Sequence, residues 1–243
     1  DKLDAMRGLT IFGSTTFFGI PIISAFLGTD GTLYANLFNV AYRVFLYSYG
    51  FILFSGLKFE KKNLKTILLN PIVLATFLGF FIWMFQDSLP QVTVGEWTGA
   101  AFRLDMTAPW FMRAVGYLAS LSSPLAWLAI GMTLAQISLS EATQDKDVWV
   151  YTIGKLVIMP AVMLLIMLFF RKINFLALNE TAITSIIIML ATPPATVAVS
   201  YAINFEKEAL FSSNASLVST VMAIVAIILW LVVLAALKTA GVL

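Results

Sequence analysis

The chain has 243 residues, 60% of them hydrophobic and 12% charged, with a formal net charge of +2 and neither cysteine nor histidine. A soluble domain is about 45–50% apolar and about 25% charged, so a water-exposed globule is excluded because too few charges remain to cover its outside. Disulfides, thiolate nucleophiles and imidazole-based triads or metal sites are excluded with the missing residue types, and the small net charge gives nucleic acid no footprint.

A bilayer core about 30 Å thick needs about 20 predominantly apolar residues in helical form. Seven segments qualify: 9–28, 31–56, 66–86, 107–137, 149–170, 181–203 and 209–237. Their apolar runs are continuous, unlike the alternation of barrel strands, so the expected fold class is an all-α, multi-pass integral membrane protein. No cleavable signal peptide is visible, since the polar residues Asp1 to Arg7 lead straight into an apolar run.

The first span carries Phe12-Gly13-Ser14-Thr15-Thr16-Phe17-Phe18-Gly19-Ile20-Pro21. Proline lacks an amide donor and clashes with the carbonyl four residues back, so a break or kink is expected at Pro21, with Gly19 beside it as hinge. After the turn Thr29-Asp30-Gly31, the second span places Arg43 about a dozen residues from either end, with Asn39 one turn earlier on the same face. A charge at such depth is costly and marks a functional site by default. A guanidinium offers a planar fork that matches a carboxylate; the other reading is an arginine capping carbonyls of a broken helix.

The loop 58–65 is lysine-rich, and 88–105 is a longer polar connection. Within the spans, Asn70-Pro71 and Pro160 read as kinks, and Lys155 as a lysine near a helix end that reaches for the interface. Trp83, Trp97, Trp110 and Trp149 stand near span ends as interface anchors. The sixth span contains Ala191-Thr192-Pro193-Pro194-Ala195-Thr196, a second proline interruption with hydroxyls beside it. The last span carries Asn214, in a place similar to that of Asn39.

Each interrupted span is followed by a short polar turn and one long helix. Corresponding interruptions in two halves of a carrier point to its binding site, and three spans lie between the two units, so they enter the membrane from opposite sides. The expected architecture is an inverted repeat with crossed broken helices. The second unit has three helices before it and the first has none; with a chain that opens on Asp1, this suggests that about three helices precede these seven. The expected divisions are 1–56, closing the first repeat; 57–137, scaffold-type helices opening the second; and 138–243, the remainder, with 1–56 and 138–243 forming the transport domain.

Basic residues in short loops mark the cytoplasmic side. Lys2, Arg7, Lys58, Lys61, Lys62, Lys65, Lys146 and Lys207 fall on one side and Arg103, Arg113, Arg171, Lys172 and Lys238 on the other. This bias puts residue 1 in the cytoplasm and the C-terminus outside.

The segment from Phe12 to Pro21 resembles the "FGNxGFxGxP" motif of the auxin efflux carrier, or PIN-like, family of bacterial permeases. Ser123-Pro124-Leu125-Ala126-Trp127-Leu128-Ala129-Ile130-Gly131-Met132-Thr133-Leu134-Ala135 resembles its "PLALLxIGxxLA" helix. Thr192-Pro193-Pro194-Ala195, with Ala198 and Ser219-Thr220, is similar to its last crossover and final helix. The resemblance implies ten helices in two inverted five-helix repeats, the fourth and ninth crossing at the midplane, with helices four to ten in this chain. It also implies transport of small organic acids such as malate or malonate, in the inner (plasma) membrane. Ser14 and Thr16 stand where the motif has Asn and Gly.

Candidate substrate-binding residues are Ser14, Thr15, Thr16, Asn39, Arg43, Thr192, Thr196 and Asn214; candidate crossover or hinge residues are Gly19, Pro21, Pro193 and Pro194. Hydroxyls in membrane helices also bond their own backbone, and both asparagines could instead hold helices together. No cofactor, metal or catalytic residue is expected; the partners are a small organic anion and the bilayer, with a homodimer as an open alternative. No Asp, Glu or His lies at mid-depth as a proton relay, which favours exchange, uptake down a gradient or a proton carried on the substrate. A sodium-coupled carrier of the bile-acid type and a non-transporting ligand sensor are the alternatives.

Overall fold

The computed structural model describes residues 2–56, 69, 71–135, 138–175 and 178–243; the loop 58–65 and several side chains of the 123–135 motif lie outside that description. Each of the seven expected spans is built from helix where described, with the first and sixth interrupted at 12–14 and 191–195. The first consists of Lys2–Ile11 and, after a gap, a helix that opens with a π turn at Thr15–Gly19. The third and fourth are Pro71–Met84 and Pro109–Leu134. The fifth runs from Lys146 to Lys172 and the last is Ala209–Thr239. The sixth divides into Glu180–Leu190 and Thr196–Asn204.

Between the first and second spans the helical trace Thr15–Ser55 is nominally continuous over 41 residues. It is two segments. Gly28 has φ 63° and ψ −146°, a conformation open to glycine and to few other residues. The Thr15 hydroxyl donates to Asn39 Oδ1 at 2.7 Å, whereas 24 residues of straight helix would separate the two by about 36 Å. The chain therefore doubles back at Gly28, and the Thr32 hydroxyl donates to the freed Gly28 carbonyl at 2.7 Å.

Two packed clusters flank the centre. One gathers Phe12, Phe54, Tyr151, Phe211 and a set of alanines including Ala195, Ala198, Ala202 and Ala215. The other gathers Ile23, Ile183, Ile187, Met189 and Trp230. Lipid tails are as apolar as leucine, so close packing over small residues drives helix association here. At one end of the bundle Lys2 pairs with Asp147, and Lys207 Nζ donates to the Leu53 carbonyl at 3.4 Å. At the other, Lys238 pairs with Glu180 at 2.8 Å and Asn179 Nδ2 donates to the Tyr34 hydroxyl at 2.8 Å. The two ends group these residues as the loop assignment did.

Two expectations need correction. The connection 88–105 is not merely a polar linker: Gln91–Val94 and Trp97–Ala100 form an antiparallel hairpin with Val94 opposite Trp97. Gly95, at φ 62°, opens its two-residue loop, as glycine does in a type II′ turn. The first interruption lies at 12–14, seven or more residues before Pro21. The π turn ahead of Pro21, with the Ile20 amide donating to the Thr15 carbonyl, replaces the four-residue spacing that the proline ring would obstruct. Pro21 continues a helix; it does not break one.

Candidate functional site

The two interruptions meet. The Ala195 amide donates to the Phe12 carbonyl at 2.8 Å and the Ser14 amide to the Pro193 carbonyl at 2.6 Å, framing an antiparallel bridge between Gly13 and Pro194. Gly13 and Pro194 form the non-hydrogen-bonded pair of this bridge, so the missing amide of Pro194 leaves nothing unsatisfied. Backbone groups freed in hydrocarbon must find partners within the protein, and each gap supplies them to the other.

The first half-helix, Lys2–Ile11, ends against three further donors. The Tyr151 hydroxyl donates to the Leu9 carbonyl at 3.1 Å, Lys155 Nζ to the Thr10 carbonyl at 2.7 Å, and the Tyr42 hydroxyl to the Gly13 carbonyl. Lys155 is therefore no interface-seeking lysine. It is 1% exposed and its ammonium lies at the gap, 3.1 Å from where a β-carbon on Gly13 would stand.

Both second half-helices start at the crossing. Ser14 precedes Thr15 and Ala195 precedes Thr196, and neither helix start carries a side-chain cap. The positive ends of their dipoles lie at a cavity of about 210 Å³ lined by Ser14, Thr15, Thr16, Tyr42, Arg43, Tyr47 and Thr196, among others. The guanidinium of Arg43 belongs to none of the four ion pairs among the described residues, which join Lys2, Arg7, Arg103 and Lys238 to carboxylates. A second cavity of about 490 Å³, mainly apolar, reaches Phe18, Ser200, Thr220 and Gly131. Ser14 and Thr196 line both cavities.

The sequence candidates separate on this geometry. Ser14, Thr16, Arg43 and Thr196 face the cavities, and the Ser14 hydroxyl is buried with no hydrogen-bond partner. Thr15 lines the smaller cavity but gives its proton to Asn39, whose Nδ2 reaches the Thr16 hydroxyl at 3.5 Å. Asn39 therefore ties the half-helix to the long helix behind it. Thr192 is fully buried and donates to the Met189 carbonyl at 2.8 Å, closing its own helix end. Neither Thr192 nor Asn214 lines either cavity. Pro193 and Pro194 sit in the gap between the two half-helices. Gly19 is a contact and not a hinge: a β-carbon there would stand 2.6 Å from Met189 Sδ. Sequence reasoning passed over Tyr42, Tyr47 and Lys155. For Lys155 a signal was available, because Tyr151 lies four residues earlier on the same helical face.

A family model described as "Membrane transport protein" matches residues 56–231, well over half of the chain. The chain belongs to this family, that of the auxin efflux carriers. The protein is thus a membrane transporter, with a small-molecule substrate implied by the family. The matched stretch takes in the gap at 191–195 and leaves out the one at 12–14. No curated protein and no solved structure matches the chain.

Proposed function

We propose that this transporter carries a small organic anion, a dicarboxylate such as malate or malonate, across the inner (plasma) membrane by alternating access. One observation carries the reading: two uncapped helix starts, the unpartnered Ser14 hydroxyl and a guanidinium without a carboxylate converge on one cavity. Amides at helix starts and a guanidinium fork are donors suited to carboxylate oxygens. In this reading 1–56 and 138–243 move together as the transport domain, because their gaps exchange backbone hydrogen bonds. Residues 57–137 supply the surface against which they slide; Gly131 already faces the larger cavity.

The experiment is thermal unfolding of the purified protein with malate, malonate, lactate, indole-acetate and neutral solutes, followed by uptake into proteoliposomes. A ligand at a hundred times its Kd stabilises by about 2.7 kcal/mol, several degrees for a chain of this size. Carboxylates are expected to raise Tm and neutral solutes to leave it unchanged. Stabilisation by neutral solutes alone would sink the anion assignment, and binding without uptake or counterflow would favour a ligand sensor.

A further inference from the structure

The lysine at the crossover has no part in the anion cavity, whose lining does not include it. Its helix bulges into a π turn at Gly154–Ile158 just ahead of Pro160, and this places Lys155 among buried neighbours. The ammonium donates to the Thr10 carbonyl and lies 3.8 Å from Met159 Sδ. Among the described residues it has no carboxylate partner. It sits where the first half-helix ends, facing the negative end of that helix dipole. The Thr192 hydroxyl oxygen, whose proton goes to Met189, approaches the same side of Gly13.

In carriers built from inverted repeats, the carbonyls of unwound segments and the C-terminal ends of half-helices are where coupling cations bind. Here a tethered cation occupies that place. We infer that the Lys155 ammonium is a built-in substitute for a coupling ion: it neutralises the carbonyl end of the first half-helix, so the crossover needs no sodium, and the pocket left by its removal takes a small inorganic cation. The inference deepens the carrier reading, since it makes transport sodium-independent, but its test involves no organic anion and so fails or succeeds separately.

The test is thermal unfolding of the full chain in sodium chloride and in choline chloride at equal ionic strength, for the wild type, Lys155→Ala and Lys155→Met. The wild type is expected to melt at the same temperature in both salts. Lys155→Ala melts lower in choline, and sodium restores at least half of the loss. Lys155→Met, which fills the space without the charge, is destabilised equally in both. A lysine that merely packs would give Lys155→Ala the same Tm in both salts, and that result overturns the proposal. So does sodium stabilisation of the wild type, or a Lys155→Ala chain that folds in neither salt, because sodium then cannot stand in for the ammonium.

Discussion

The indole N–H of Trp230 donates to the carbonyl of Leu156 at 2.8 Å, linking two helices 74 positions apart in the chain. Leu156 is the residue whose carbonyl Pro160, four positions later, cannot serve. Trp230, 9% exposed, supplies the donor that the proline lacks.

Trp230→Phe keeps most of the ring and leaves that buried carbonyl unpaired, at a cost of about 1–3 kcal/mol. Pro160→Ala returns an amide four residues from Leu156, so the double variant is expected to lose less than Trp230→Phe alone. Thermal or denaturant unfolding of the four proteins of this cycle measures the coupling; strictly additive losses would contradict the pairing.

Ser14 and Thr15 are neighbours with different duties. The Ser14 hydroxyl has no partner within the protein, so Ser14→Ala should leave stability within about 0.5 kcal/mol of wild type while weakening anion binding. Thr15→Val strips the donor from Asn39 and should destabilise by about 0.5–1.5 kcal/mol. Paired Tm and Kd measurements distinguish the two, and the opposite pattern would reverse the roles given to these hydroxyls.

Removing Arg43 deletes charged hydrogen bonds worth about 1.5–3 kcal/mol each, so Arg43→Ala should raise the Kd for the anion by roughly 10- to 150-fold. Arg43→Lys keeps the charge and loses the planar fork, and its loss should be smaller. Calorimetry on the purified variants decides the matter; unchanged affinity in both would remove Arg43 from the site.

Gly13 leaves room for two side chains from elsewhere in the chain. A β-carbon there would collide with Thr192 Oγ1 and stand 3.1 Å from Lys155 Nζ. Gly13→Ala should therefore cost about 1–3 kcal/mol through overpacking, and Thr192→Ala, by deleting the obstructing oxygen, should return part of it. A double variant no better than Gly13→Ala in thermal unfolding would place the strain elsewhere.

Much of this was legible in the sequence, because the membrane limits what a chain can do. Apolar runs of spanning length gave seven helices, and Pro193-Pro194 marked a gap since two adjacent prolines remove consecutive amides. Arg43 stood out as a charge without a reason to be buried. Pro21 misled because a proline early in a helix can be absorbed by a π turn, and no residue type announces such a turn. Lys155 misled because distance along a helix is not depth: a neighbouring helix that stops short presents a carbonyl end inside the bundle, and the lysine meets it there. Asn39 and Asn214 drew attention as polar groups in apolar helices, yet neither lines a cavity; Asn39 bonds to Thr15 and Thr16 instead.

The seam between Gly13 and Pro194 is made of main-chain atoms on both sides. Side chains at 14 and 196 can therefore be exchanged without unpicking it, as they contribute nothing to its two bonds. That separates the durability of the junction from the chemistry displayed beside it: under the proposed anion-carrier reading, those two positions can be varied to retune selectivity with the scaffold intact.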